Sequence, residues 1–234
     1  MKNSNYKKLI KNLDAFIRKY YLNQALRGGL YWLATALVMY LVFSLLESQF
    51  WFSSGVRKLM FFSFIGIALG SFIFLVGKPL LSYFKLGNRI SNEKAAEIVG
   101  DHFTSVKDKL LNVLQLNEQV QGTQDSSLLI ASIEQKTSDI RVVRFPDAVD
   151  LSQNRKYLKY VAPPLAILLV LLFAAPTLLT DSTNRLIRNN EEFEKPAPFT
   201  FSVNQDKLNV VQYSDVEIDV EVDGDVIPND AYIS

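Results

Sequence analysis

Three stretches of this 234-residue chain carry no charged side chain: residues 28–46, 59–77 and 160–180. At a rise of about 1.5 Å per residue each covers roughly 30 Å as a helix, the thickness of a bilayer's hydrocarbon core. One such run fits the buried centre of a soluble domain. Three in one chain point to a mainly α membrane protein with three transmembrane helices. The flanks agree. Tyr31 and Trp32 open the first run, Phe50, Trp51 and Phe52 follow it, Tyr83 and Phe84 follow the second, and Tyr157 and Tyr160 precede the third. Amphipathic rings favour that interfacial depth. Pro163 and Pro164 stand near the start of the third run, and Pro176 is placed to end or kink it.

Charge sets the expected orientation. Seven bases and one acid precede Gly28, whereas residues 181–234 carry 12 acids and four bases. The connector 47–58 holds two bases, Arg57 and Lys58, while Lys78, Lys85 and Arg89 leave the second run and Arg155, Lys156 and Lys159 enter the third. The positive-inside rule then puts residues 1–27 and 78–159 in the cytoplasm and residues 47–58 and 181–234 outside. The first run reads as a retained signal anchor, because it fills a whole span and no alanine-type cleavage site follows it.

Residues 5–26 have helical periodicity. Leu9, Leu13, Phe16 and Tyr20, with Ile10, Ile17 and Tyr21 beside them, form an apolar stripe opposite Lys7, Lys8, Lys11, Arg18 and Lys19. Such a basic amphipathic helix can lie on an anionic leaflet or pack its stripe on the cytoplasmic loop. The loop, residues 78–159, is too long for a bare connection and should fold. Ser91 followed by Glu93 signals a helix start. Ala96, Val99, Phe103, Val106, Leu110 and Val113 then give a heptad-like seam along a helix covering most of 92–117. Residues 119–125 break that pattern. A second helix from about Ser126 to Ile140 offers Leu129, Ile133 and Ile140, and the two make an antiparallel helical hairpin, with an extended return through residues 141–146. The seam suits packing within the hairpin, a partner helix or a second copy of the chain. His102 reads as a surface or packing histidine.

After a juxtamembrane helix and linker over 181–198, the period becomes two. Phe199, Phe201 and Val203 alternate with polar residues, as do Val216, Ile218, Val220 and Val222, and Asp223-Gly224 is a turn signal. About three or four strands fit before Ser234, whereas an immunoglobulin-like sandwich needs about seven. Residues 199–234 therefore read as the start of an exterior β-rich domain, and the chain as the N-terminal part of a longer one. Asp219, Glu221, Asp223, Asp225 and Asp230 also match positions 1, 3, 5, 7 and 12 of a calcium-loop template, with Gly224 at position 6. The template requires flanking helices, and Pro228 interrupts it. Strand alternation accounts for the same acids as a solvated face.

Chemistry is mostly excluded. With no cysteine and one histidine, thiolate and multi-histidine metal sites are ruled out and a Ser-His-Asp triad is disfavoured. No phosphate-binding glycine loop, HExxH or GxSxG occurs, so no catalytic residue, cofactor or metal is assigned. No ionisable group lies inside the runs, which argues against an autonomous transporter. Nor does a basic, aromatic-interleaved face offer itself to nucleic acid. Gly66 and Gly70 form a GxxxG pair that lets a helix approach either another span of this chain or a partner.

Ser91-Asn-Glu-Lys-Ala-Ala96, His102-Phe103, Lys107-Asp-Lys-Leu-Leu-Asn-Val-Leu-Gln-Leu116 and Phe145-Pro146-Asp-Ala-Val-Asp150 resemble a large uncharacterised envelope-protein family of Gram-negative bacteria. The resemblance implies three N-terminal spans in the inner membrane and a long periplasmic region mostly beyond Ser234, with no catalytic residues to carry over. The expectation is a non-enzymatic inner-membrane anchor or scaffold, with the lipid bilayer and other proteins as partners. The alternatives are a transmembrane sensor, or the anchor of an enzyme whose catalytic part follows Ser234.

Overall fold

The computed structural model describes residues 4–120, 127–140, 143–193, 195, 199–203 and 220–224, and is mostly helical. Two units are distinguished, residues 1–190 and 191–234.

In the first unit a single helix, α1 (Ser4–Phe50), runs for 47 residues. The basic amphipathic segment and the first apolar run are thus one continuous element. No proline interrupts it, and the Gly28-Gly29 pair costs a helix only about 1 kcal/mol per residue. The helix ends where Trp51 takes a left-handed conformation (φ 49°). α2 (Ser54–Phe72) continues through a π-helical turn (Ile73–Gly77) into α3 (Lys78–Tyr83) without a break. Proline explains the widened turn. Pro79 has no N–H, so the Leu75 carbonyl loses its ordinary donor four residues on, and Lys78 N–H bonds back to Ile73 O instead. α7 (Leu158–Ala174) holds Pro163 and Pro164 inside it and stops at Ala175. The third run is therefore shorter than its uncharged stretch: residues 176–180 belong to a separate helix, α8 (Pro176–Ile187), with Pro176 in its first turn. The α1 stretch, the α2–α3 stretch and the segment ending in α7 are three helices long and apolar enough to cross a membrane, and their apolar windows are largely uncovered.

Between α3 and α7 the described residues form three α-helices, α4 (Asn92–His102), α5 (Lys107–Val120) and α6 (Ser127–Ile140). Ser91 caps α4, its Oγ accepting the Lys94 N–H at 3.2 Å. The long seam helix expected over 92–117 is broken. Phe103 leaves helical geometry (φ −116°, ψ 79°) and Thr104–Val106 form one 3-10 turn before α5. Gly100 makes the fold-back possible, since a side chain there would collide with Lys107. The seam nonetheless stays on one face: Ala96, Val99, Leu110 and Val113 are fully buried and Val106 nearly so.

α5 packs against both α4 and α6, and the seam joins a core with the N-terminal half of α1. Leu9, Leu13, Phe16, Ile17 and Tyr21 share one core with those residues and with Ile133, Ile140, Phe145 and Val149. The stripe packs into this core, so the packing of α5 on α6 expected of the hairpin is present within a helical domain that also includes α4 and the N-terminal half of α1. Polar ties fix the docking. Lys19 Nζ donates to Pro146 O (2.8 Å), Tyr21 OH donates to Asn88 O (3.3 Å) and accepts from Ile90 N–H (2.9 Å). Asp14 bridges Lys85 (2.9 Å) and Arg89 (3.3 Å). Leu129 lies in α6, but its side chain is outside the described residues.

The second unit contains an antiparallel pair, β1 (Phe199–Val203) and β2 (Val220–Gly224), with Phe201 opposite Val222 and Val203 opposite Val220. These four share a face, as the alternation predicts. Val216 and Ile218 lie outside the described residues.

Candidate functional site

Charged residues flank all three apolar runs, and one of them at each run matters for the tertiary structure. Glu47 comes directly after the first run, Arg57 just before the second, and Arg185 five residues past the third. The structure brings them together. Glu47 stands in the last turn of α1, Arg57 in the first turn of α2, and the tight connector through Trp51 turns one helix back beside the other. α8 then places Arg185 against both. Its buried residues Leu179, Ser182, Arg185 and Leu186 occupy one face at helical spacing.

Glu47 Oε1 lies 3.0 Å from Arg57 Nε and 3.2 Å from Arg185 Nε. The Glu47 and Arg57 side chains are at most 1% exposed. The Arg185 guanidinium also stacks over the Trp51 ring, 4.1 Å from its centroid. One carboxylate therefore ties together the ends of two helices and a third, crossing helix. About two turns back along α1, Tyr40 OH and Thr183 Oγ1 share a hydrogen bond of 2.8 Å, which also joins α1 to α8. Among the described residues, the buried oxygens Glu47 Oε2 and Ser44 Oγ have no hydrogen-bond partner.

Burying three charges is expensive, and their attraction roughly offsets that cost only when geometry is good. The best-attested use of such a cluster is to fix which helix sits where. A sliding or rotated α8 would strand Arg185 in an apolar surrounding, so the cluster selects one arrangement of the helix ends. Among the described residues, no group of three or more His, Asp or Glu side chains is placed to hold a metal ion.

The other sequence-level candidates are scattered. Gly66 and Gly70 face open space, and an added Cβ at either meets nothing within 4 Å. At Gly28, by contrast, an added Cβ would overlap the carbonyl of Leu75, a residue of the π turn. Ala96, Val99, Phe103, Val106, Leu110 and Val113 belong to or border the domain core. His102 is exposed, its ring edge-on to Phe103 at 4.7 Å. Of the calcium-like set, Glu221 and Asp223 stand two apart on the extended strand β2, paired with Ser202 and Thr200, which is not a metal-coordinating loop. Asp219, Asp225 and Asp230 lie outside the described residues.

Exposed ion pairs also mark the surface of α4 and α5. Lys107 Nζ donates to Asp101 at 2.5 Å across the α4–α5 break, and the carboxylate raises the lysine above its usual range. Glu97 does the same to Lys94.

No family model, curated protein or solved structure matches the chain.

Proposed function

We propose that this chain is a non-enzymatic membrane anchor and scaffold, seated in the inner membrane of a Gram-negative envelope and joining a helical cytoplasmic domain to a β-rich periplasmic region. One observation carries the reading: α1 is a single helix whose first half is the central strut of the helical domain and whose second half is an apolar span. Nothing flexible intervenes between domain and span. Such a helix suits a fixed mounting, because position at one end dictates position at the other. The basic excess before Gly28 and the acidic excess after Thr180 support the orientation.

Reporter fusions at residues 120 and 190 test it. A cytoplasmic signal from the first and a periplasmic signal from the second are expected, and the reverse pattern would sink the orientation. Spin labels at Lys11 and Val38 test the mounting. A narrow distribution near 40 Å is expected from the helical rise, whereas a broad one would show that domain and span move separately.

A second reading, transmembrane signalling, draws support from the ion cluster. A buried carboxylate with one unpartnered oxygen, next to Trp51 at positive φ, is the kind of strained junction that can hold two states. Distances between labels on α1 and α8 that change under envelope stress would favour it over the scaffold.

A further inference from the structure

The π turn opens a groove of about 400 Å³ between α1, the Ile73–Gly77 segment and the residue preceding α7. Gln24, Arg27 and Tyr31 line one side at helical spacing, Phe74 and Leu75 the other, and Tyr157 closes the end. The groove sits at a chemical border. The first uncharged run begins at Gly28 and the second ends at Gly77, so the two transitions from charged to apolar meet at the same height.

Cations converge on this border from three elements. Arg27 lines the groove from α1. Lys78 Nζ sits 4.1 Å from the centre of the Phe74 ring, and Lys156 Nζ 5.3 Å from the Tyr157 ring. None of the lining side chains is acidic, and no ion pair among the described residues involves Arg27, Lys78 or Lys156. Two of these cations rest on aromatic rings and the third lines the groove, so the border carries positive charge that an anion would balance. Below them Phe74 and Ile73 are mostly exposed, presenting an apolar track. The volume suits a small polar group with its linker rather than a whole lipid.

We propose that this groove binds the headgroup of one anionic diacyl phospholipid, its phosphate among Arg27, Lys78 and Lys156 and an acyl chain along Phe74 and Ile73. The inference rests on the membrane reading above. A neutral, zwitterionic lipid would leave the cations unbalanced, and a free phosphate would leave the apolar track bare.

The test uses the full chain, purified in detergent, stripped of lipid and incubated with phosphatidylglycerol or phosphatidylcholine of the same acyl length. Retained lipid is counted by native mass spectrometry. Phosphatidylglycerol is expected to be retained preferentially, with retention falling about fivefold for each cation lost in Arg27→Gln and Lys78→Gln. Lys94→Gln, a distant surface cation, should change nothing. Lys156→Gln gives a third, independent reading should either of the others fail to fold by circular dichroism. Equal retention of the two lipids, or undiminished retention by the folded variants, would overturn the site. Displacement of the lipid by millimolar inorganic phosphate would reassign it to a free anion. Alkaline carbonate extraction separates the two levels: release of the chain from membranes defeats both readings, and a resistant chain with no lipid preference defeats only this one.

Discussion

The backbone of Gly28 lies so close to Leu75 that a methyl group at position 28 would overlap the Leu75 carbonyl oxygen. Gly28→Ala must therefore push α1 and the π turn apart. We expect a loss of about 1–3 kcal/mol, as for other overpacked contacts, read from unfolding in detergent. Gly29→Ala is the control, because nothing lies within 4 Å of a Cβ there. It should be neutral or gain up to about 1 kcal/mol from helix propensity. Equal losses at both positions would show that the approach is not as close as described.

Glu47 is the shared partner in its cluster, so its removal leaves two buried guanidinium groups without a carboxylate. Glu47→Gln is expected to cost about 3–5 kcal/mol. Arg185→Met leaves the Glu47–Arg57 pair at 3.0 Å in place and should cost clearly less. Denaturant midpoints of the two variants decide this, and an equal or reversed order would refute the central role of Glu47.

Among the described residues, a Cβ at Gly66 or Gly70 would meet nothing within 4 Å. Gly66→Ala and Gly70→Ala should shift stability by no more than about 0.5 kcal/mol unfavourably, like other substitutions away from packed contacts. A loss above about 1 kcal/mol in the monomer would mean that the pair packs inside the chain after all.

The seam is closed by α1. A cysteine at Leu110, which is fully buried, should react with a maleimide only after denaturation, whereas one at Leu86, 77% exposed, should react at once. Rapid labelling at both would mean that the domain opens and frees the seam for a partner.

Ser91→Ala removes the side-chain acceptor for Lys94 N–H. A destabilisation of about 1 kcal/mol is expected, and circular dichroism of thermal unfolding measures it.

Local signals were legible in the sequence wherever one element determines them. Ser91 as a cap, the stripe from Leu9 to Tyr21, the strand alternation of Phe199 to Val203 and the break at Pro176 all follow from side-chain chemistry within a few residues. Long-range facts were not. The composition change at Arg27-Gly28 resembles a boundary, yet no backbone feature there ends a helix. The seam's even spacing concealed a fold-back at Phe103, although Thr104 and Ser105 ahead of Asp108 are a helix-start pattern. Glu47, Arg57 and Arg185 looked like ordinary flanking charges because only the tertiary arrangement takes them out of water.

The shared core of α1 also dictates an order of events during synthesis. The stripe from Leu9 to Tyr21 is made first, but its covering runs as far as Val149. At ordinary elongation rates the stripe waits on the order of 10 s for its last partner. In that interval α1 is complete and α2 and α3 have already emerged, so the domain nearest the N-terminus closes only after two apolar helices have left the ribosome.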